Sequence, residues 1–202
     1  MRDADFFRRW MAVAAAAVER EADRLTELDS PIGDADHGSN LLRGFTAVVA
    51  ALEAEPPSAG PGAVLQLAGR TLISTVGGAS GPLYGTLLRR TGKALGESAE
   101  VSDAELHEAL AAGVGAVAQL GGAAPGDKTM LDALEPGVAA LGTSYRAAAV
   151  AAENGALATV PMQARKGRAS YLGERSIGHQ DPGATSSALL LGALADVAEG
   201  AQ

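Results

Sequence analysis

The sequence predicts an all-α fold, an antiparallel bundle or barrel of about eight helices. Apolar residues make up 47% of the chain and aromatic residues only 3%, and most of the apolar share is Ala, Leu and Val. Ala and Leu favour helices, whereas the residues most typical of strands are scarce. Apolar residues recur at three- and four-residue spacing in one segment after another, and the connections between segments are short. We find no strand pattern and no internal repeat.

Four helices are predicted in the first half of the chain. Phe6, Trp10 and Val13 begin the apolar stripe of the first helix. Pro31 prevents this helix from continuing, because proline lacks the N–H that a helix interior needs. A connection rich in Pro, Gly and Ser is expected over residues 55–62. The predicted helices cover residues 5–28, residues 40–52, residues 61 or 62 to 76, and residues 83–95.

The second half is predicted to be helical as well, with one long interruption. Ser102 and Glu105 have the spacing of a capping box and open a helix that reaches about Leu120. A sixth helical stretch opens at residues 129–130, and Pro136 is expected to kink or restart it. Helical periodicity then continues to residue 151, returns over 157–164, stops over 165–185, and resumes in a last helix at 186–198.

Length and charge limit the classes of protein that fit. The 202 residues suffice for one well-packed domain, so we expect a single domain over residues 1–202. A net charge of −8 argues against binding to nucleic acid or to an anionic membrane surface. The absence of cysteine excludes disulfides and thiolate chemistry. The first helix carries acidic residues on both flanks, unlike an export signal, and we expect a cytoplasmic protein.

A loop over residues 28–40 concentrates polar chemistry between the first two helices. It holds Asp29, Asp34 and Asp36 within eight positions. Crowded carboxylates repel one another, so their clustering predicts a compensating cation. Ligands that are all oxygen favour Mg²⁺, which binds a few carboxylates and completes its shell with water and substrate phosphates. The alternative interpretation is a solvated turn with capping residues.

Two common loop motifs do not fit this segment. A calcium loop that began at Asp34 would need Gly at its sixth position and Glu at its twelfth, where the chain has Ser39 and Phe45. Gly33 and Gly38 have the glycine spacing of a P-loop, but Ser39 stands in place of the lysine. The loop is therefore neither of these sites.

Residues 77–82 form a glycine-rich stretch that precedes the fourth predicted helix. Its glycines allow backbone N–H groups to point toward an anion, Ser80 adds a hydroxyl, and Pro82 fits a first helical turn. The stretch predicts a phosphate cradle, and a plain tight turn remains the alternative.

Residues 165–181 reverse the local charge of an acidic protein. Four of the sixteen basic residues fall within eleven positions here, beside several glycines. Such a segment suits a lid whose arginines bind phosphate oxygens. The alternative is a solvated loop with self-compensating charge. Together with the acidic loop and the glycine-rich stretch, the lid predicts phosphoryl transfer on a nucleotide.

Four blocks strongly resemble the nucleotide-binding L subunits of the dihydroxyacetone kinase family. They are LDSPIGDADHG at residues 28–38, GGASGPLYGT at 77–86, GDKTM at 126–130, and residues 165–187. The resemblance implies an eight-helix barrel that holds ADP and two Mg²⁺ at one end. It makes Asp29, Asp34 and Asp36 the metal ligands.

The same resemblance assigns the remaining site residues. Those implied to contact the nucleotide are His37, Gly38, Ser39, Asn40, Ala79, Ser80, Gly121, Met130, Arg168, Asp181, Pro182 and Gly183. His37 and Arg168 are also implied as catalytic residues. Gly121 and Met130 belong to the adenine end of the expected pocket.

The form of the acidic loop is similar to that of the bacterial phosphotransferase-linked type. In that type, ADP stays bound and cycles with ATP: a phosphohistidine protein, the M subunit, phosphorylates it, and the phosphoryl group passes to dihydroxyacetone on a separate K subunit. We also expect a homodimer, and a transcription regulator as an additional partner. Alternatives are the nucleotide subunit of an ATP-dependent kinase for dihydroxyacetone or another short ketose, and a nucleotide-loaded regulatory binding protein.

Overall fold

Eight α-helices dominate the fold within residues 1–55 and 59–200, which a computed structural model of the chain describes. The all-α class is thereby confirmed. The helices are α1 (Ala4–Asp29), α2 (His37–Ala54), α3 (Pro61–Thr75), α4 (Ser80–Leu95), α5 (Asp103–Gly121), α6 (Leu131–Leu141), α7 (Tyr145–Ala158) and α8 (Pro182–Glu199). A 3₁₀ segment covers Arg168–Ser176. The strands β1 (Arg2–Asp3) and β2 (Glu100–Val101) pair antiparallel.

The helices form a closed ring. Each helix packs against the next one along the chain, and α8 packs against α1. One continuous hydrophobic cluster takes residues from all eight helices. Trp10 on α1 is fully buried in it, and its indole N–H donates to the Leu190 carbonyl of α8 over 2.9 Å. The odd-numbered helices end, and the even-numbered helices begin, at the same end of the ring, which is called the site end below.

Glycines bring α3 and α4 unusually close together. A Cβ at Gly69 would lie 2.6 Å from the Gly85 carbonyl oxygen, and a Cβ at Gly92 would lie 2.5 Å from the Gly62 carbonyl oxygen. These approaches exclude any larger residue without a shift of the backbone. The close packing fixes the turn between α3 and α4, which carries the predicted phosphate cradle.

Three helices at the site end begin earlier than the sequence predicted. α2 begins at His37 instead of residue 40, α4 at Ser80 instead of residue 83, and α8 at Pro182 instead of residue 186. Proline is tolerated in a first helical turn because its missing N–H has no partner there. The predicted boundaries of α1, α3 and α5 agree with the structure to within about one residue.

One of the two outcomes predicted at Pro136, a restart of the helix, was wrong. Helix α6 runs through Pro136 without a restart, and the break comes at residues 142–144. The Asp132 carbonyl, which residue 136 would normally hydrogen-bond, lies against Gly155 of α7, where a Cβ would overlap it. Helix packing therefore covers the group that the proline leaves unpaired.

Three smaller differences concern the connections. Helix α7 ends at Ala158, so the helix predicted over 157–164 is wrong. The segment predicted to lack a pattern over 165–185 contains the 3₁₀ turns and the start of α8. The connection predicted at 55–62 includes residues 56–58, which lie outside the described residues. No helix in the described part of the chain is both long and apolar enough to cross a membrane.

Candidate functional site

A cavity of about 550 Å³ opens at the site end. Its walls come from the loop after α1, the turn between α3 and α4, the segment between α5 and α6, and the connection from residue 166 to the start of α8. Elements far apart in sequence therefore meet around one space large enough for a small-molecule ligand.

The acidic loop after α1 brings three carboxylates together at this cavity. One oxygen from each of Asp29, Asp34 and Asp36 lies within 4.8 Å of the others. Asp29 is 8% exposed, and its Oδ2 accepts hydrogen bonds from the backbone N–H of Asp36 at 3.0 Å and of His37 at 3.3 Å. A Cβ at Gly33 would overlap the Asp29 carboxylate, so any larger residue there would displace that carboxylate.

This donor set fits a hard divalent cation. Three carboxylates this close repel each other unless a positive charge lies between or beside them. Arg168 supplies part of that charge, since its Nη1 lies 3.0 Å from Asp34 Oδ2. Both side chains of this pair are substantially exposed, so it contributes little stability. Asp29, Asp34 and Asp36 are the residues that would hold a metal ion.

A buried hydrogen-bond network joins the starts of α2, α4 and α8. The imidazole of His37 lies 2.9 Å from Ser186 Oγ through Nε2 and 3.3 Å from Ser80 Oγ through Nδ1. The Tyr84 hydroxyl lies 2.6 Å from Ser186 Oγ and 2.9 Å from Ser187 Oγ. Burial lowers the pKa of His37 and raises the pKa of Tyr84 to about 12, so both are held neutral.

The first turns of α2 and α4 have the features of an anion site. In the described part of the chain, their N-cap residues Asp36 and Ala79 make no side-chain capping hydrogen bond. The first N–H groups of a helix point outward and carry partial positive charge, so uncapped starts attract phosphate. Gly78, with φ of +66°, sets the turn before α4.

Another part of the cavity wall is apolar. Val117 and Leu120 come from the end of α5, and Met130 and Leu131 come from the start of α6. Gly121 and Ala123 complete this wall without bulky side chains. Such a surface suits a flat, weakly polar ring.

The 3₁₀ segment and the residues just before it form a loop over 165–176, which we call the basic loop. A small apolar cluster holds this loop against the acidic loop: Ile32 packs with Ala164 and Ala169, and Leu172 lies against them. Arg168 projects from the same loop to Asp34. The acidic and basic loops therefore contact one another through both apolar and charged groups.

Asp181 is a buried carboxyl at the start of α8. Its Oδ2 accepts from the backbone N–H of Ala184 at 2.7 Å and caps the helix. Burial raises the pKa of Asp181 to about 7, and the charge of Asp132 adds to the increase, while the Ala184 bond and the Lys128 charge oppose it. Burial thus places the pKa of this carboxyl well above the usual range of aspartate.

Most of the predicted site residues line the cavity. Those that do are Asp29, Asp34, Asp36, His37, Ala79, Ser80, Gly121, Met130, Arg168, Asp181, Pro182 and Gly183. Gly38, Ser39 and Asn40 are not among the lining residues. Gly38 packs against the Ala22 carbonyl of α1, and Asn40 accepts from Arg43 at 2.6 Å.

Sequence reasoning did not assign Lys128 and Tyr84 to the site, although both line the cavity. The only signal for Lys128 was its place in the GDKTM block. A lysine in a glycine-rich turn normally indicates a solvated side chain, yet Lys128 is 1% exposed.

Comparison with known proteins agrees with this geometry. The model of the DAK2 domain family matches residues 31–196. The chain is 45% identical over 196 residues to the ADP-binding subunit of the PEP-dependent dihydroxyacetone kinase of Escherichia coli (strain K12), covering 92% of this chain and 93% of that protein. It is also 40% identical over 197 residues to the D-erythrulose kinase of Mycolicibacterium smegmatis, covering 92% of this chain and 33% of that protein.

A solved structure has the same fold. The dihydroxyacetone kinase from C. freundii, in complex with AMP-PNP and Mg²⁺, superposes with a TM-score of 0.74 at 28% identity. The match covers 94% of this chain and 33% of that chain, so this chain spans about a third of that kinase.

Proposed function

This chain belongs to the DAK2 domain family, and we propose that it is the ADP-binding subunit of a phosphoenolpyruvate-dependent dihydroxyacetone kinase. In the proposed reaction, a phosphohistidine protein of the phosphotransferase system gives its phosphoryl group to Mg-bound ADP, and the group then passes to dihydroxyacetone on a separate K subunit. The N–P bond of the donor breaks as a P–O bond forms on the β-phosphate, and transfer to the ketose hydroxyl returns ADP.

The acidic loop supports this function most directly. Asp29, Asp34 and Asp36 present oxygens within 4.8 Å of one another at the mouth of the cavity, and we assign them to two Mg²⁺ ions. When bound, these ions neutralise charge on the phosphates during transfer. The backbone of Asp36 and His37 fixes Asp29, so this ligand is oriented before any ion arrives.

The remaining nucleotide contacts are assigned to helix starts and to the apolar wall of the cavity. We assign the phosphates to the uncapped starts of α2 and α4, which carry His37, Gly38, Ser39 and Asn40 on one side and Ala79 and Ser80 on the other. Gly121 and Met130 would contact adenine on the apolar wall, and Asp181, Pro182 and Gly183 would border the nucleotide.

Arg168 and His37 are the candidate catalytic residues. Arg168 is 70% exposed at the mouth, where its guanidinium can move from Asp34 to a transferring phosphoryl group. His37 would contact the phosphates at the start of α2, and its ring nitrogens lie 2.9 Å from Ser186 Oγ and 3.3 Å from Ser80 Oγ.

The proposed assembly has several partners. Holding dihydroxyacetone would fall to the K subunit, because the three histidines of this chain offer no clear site for a small ketose: His37 lies in the acidic loop, His107 in α5 and His179 after the basic loop. The M subunit would be the phosphohistidine donor. A homodimer, a transcription regulator as a further partner and a cytoplasmic location complete the proposal.

A nucleotide-retention experiment tests this function. The purified chain is loaded with Mg·ADP, passed through gel filtration, and mixed with dihydroxyacetone in the presence of the K subunit and either the phosphohistidine donor or ATP. We expect ADP to remain bound and transfer to require the donor and K subunit. Robust kinase activity from the chain alone with ATP would contradict the proposal.

A second candidate is the nucleotide subunit of an ATP-dependent kinase for another short ketose. The 40% identity to a D-erythrulose kinase favours it. Rapid exchange of bound ADP with free ATP in the same experiment, together with phosphorylation of erythrulose, would select this function over the first.

A further inference from the structure

Hydrogen bonds join the two ends of the basic loop. The Ala164 N–H donates to Ser176 Oγ at 2.9 Å, and the Gly178 N–H donates to the Val160 carbonyl at 2.8 Å. Segments before and after the loop are thus joined side by side. We call this junction, residues 160–164 with 176–178, the neck of the basic loop.

Lys128 reaches the neck from a different part of the chain. Its Nζ donates to the Met162 carbonyl at 3.0 Å and to the Ser176 carbonyl at 2.6 Å, one on each side of the neck. The side chain is 1% exposed, and the residue has a φ of +62°, which is unfavourable for a residue with a Cβ. Burying a cation and straining its backbone both cost free energy. The arrangement therefore persists only when neighbouring groups stabilise it.

The neck determines where Arg168 lies. Arg168 and Ala169 follow within a few residues of Ala164, and Ala169 packs against Ile32 of the acidic loop. The neighbouring Arg165 N–H also donates to the Asp127 carbonyl at 3.0 Å, beside Lys128. A shift at the neck would therefore be transmitted to the Arg168 guanidinium at the cavity mouth.

We propose that Lys128 is a positioning residue that holds the neck of the basic loop and thereby places Arg168 over the phosphates of the bound nucleotide. This inference rests on the proposed function, because it takes Mg·ADP as the ligand that Arg168 contacts. Lys128 acts through Arg168 and does not itself touch the phosphates.

A double-mutant cycle tests this coupling. Mg·ADP affinity is measured by calorimetry for the wild type, Lys128→Met, Arg168→Ala and the double variant. We expect about a tenfold loss of affinity in each single variant and about the same tenfold loss in the double variant, because both act on one contact. Losses that multiply to about 100-fold would overturn the proposal, since independent sites add in free energy.

A nucleotide-free measurement makes the test independent of the proposed function. Amide hydrogen exchange over residues 160–178 is compared in the wild type and Lys128→Met without nucleotide. We expect faster exchange in the variant across this segment and unchanged exchange in α1. Unchanged exchange over 160–178 would overturn the positioning role, whereas failure of the wild type to bind Mg·ADP would refute the proposed function alone.

The experiments include a control variant and a second substitution of Lys128. Lys93→Met on the exposed last turn of α4 is the matched control and should change neither affinity nor exchange. If Lys128→Met fails to fold, the cycle and the exchange measurement are run with Lys128→Gln, whose amide can still donate to one carbonyl. Multiplicative losses in that cycle overturn the proposal in the same way.

Discussion

The two ends of the helix ring are built differently. At the end away from the cavity, side chains cap three of the four helix starts, Asp3 for α1, Ser102 for α5 and Ser144 for α7, whereas α3 begins after Gly60 without a side-chain cap. At the site end, Asp181 caps α8, but within the described chain the N-cap residues Asp36 and Ala79 make no side-chain capping hydrogen bond at the starts of α2 and α4. The His37 N–H at the start of α2 donates instead to Asp29, a candidate metal ligand. A cap contributes about 1 kcal/mol to a helix, so the site end forgoes stability at groups that a ligand can bind.

The charged side chains also differ between the two ends of the helix ring. Away from the cavity, Asp103 accepts from Arg2 Nε at 2.8 Å and from the Tyr145 hydroxyl at 2.6 Å, and the Arg2 hydrogen bond lowers the pKa of this carboxyl. Arg2 also lies 4.9 Å from the ring centre of Phe6. At the site end, Asp34 alone of the three clustered carboxylates forms an ion pair within the described residues, with the exposed Arg168. The site end therefore carries negative charge that a cation can neutralise.

The largest expected effect is a loss of Mg·ADP affinity on mutation of the acidic loop. Asp36→Asn removes one anionic metal ligand, and we expect Mg·ADP affinity to fall on the order of 100-fold. The melting temperature without nucleotide should stay the same or rise, because the change relieves repulsion between carboxylates. Calorimetry and thermal denaturation check both outcomes, with Asp23→Asn on the exposed face of α1 as control. A parallel fall in stability and affinity would break the contrast between the ends.

The next effect concerns pH and Asp181. The folded-state pKa of about 7 lies above the ordinary value of 3.8, so the neutral carboxyl stabilises the fold below about pH 4 and this stability is lost as pH rises to about 7. The free energy of unfolding without nucleotide should fall by about 2 kcal/mol more in the wild type than in Asp181→Asn between pH 4 and pH 6. Asparagine remains neutral and can still cap α8. Parallel stability curves would show that Asp181 titrates normally.

A smaller effect is expected at Gly33. In Gly33→Ala the new Cβ would overlap the Asp29 carboxylate and displace it, so Mg·ADP affinity should fall about tenfold. Gly115 on α5 has open space where its Cβ would be, so Gly115→Ala should leave affinity unchanged and stabilise the fold by about 0.5–1 kcal/mol. Equal affinities of the two variants in calorimetry would contradict the role of Gly33.

The smallest effect is expected away from the cavity. Ser102 Oγ accepts from the Glu105 N–H, and the Glu105 carboxylate accepts from the Ser102 N–H, which completes a capping box. Ser102→Ala should lower the free energy of unfolding by about 1 kcal/mol. Denaturant titration measures this loss, and Mg·ADP affinity should not change. A loss of affinity here would mean that the two ends are energetically coupled.

Local chemistry explains which features the sequence predicted. The box at Ser102 and Glu105 depends on residues three positions apart, and it was predicted correctly. The clustering of Asp29, Asp34 and Asp36 was also predicted from one short loop, and their oxygens do meet. Both features are encoded within a few residues, so they do not depend on the rest of the fold.

Features that depend on packing between distant residues were not predicted from the sequence. The continuity of α6 through Pro136 depends on Gly155 of the next helix, and the burial of Lys128 depends on carbonyls 34 and 48 positions away. The strands β1 and β2 are two residues each, too short for a periodic pattern. Residues that are distant in sequence carry these interactions, so no local pattern reveals them.

The closure of α8 onto α1 has a practical consequence for handling the protein. Arg2 lies beside Asp103 and Glu199 beside Arg146, and all four residues sit on the side remote from the cavity. An affinity tag, a fluorophore or a tethered protein attached beside Arg2 or Glu199 would therefore emerge facing away from the opening. Immobilisation through these positions should leave the opening accessible to a macromolecular partner.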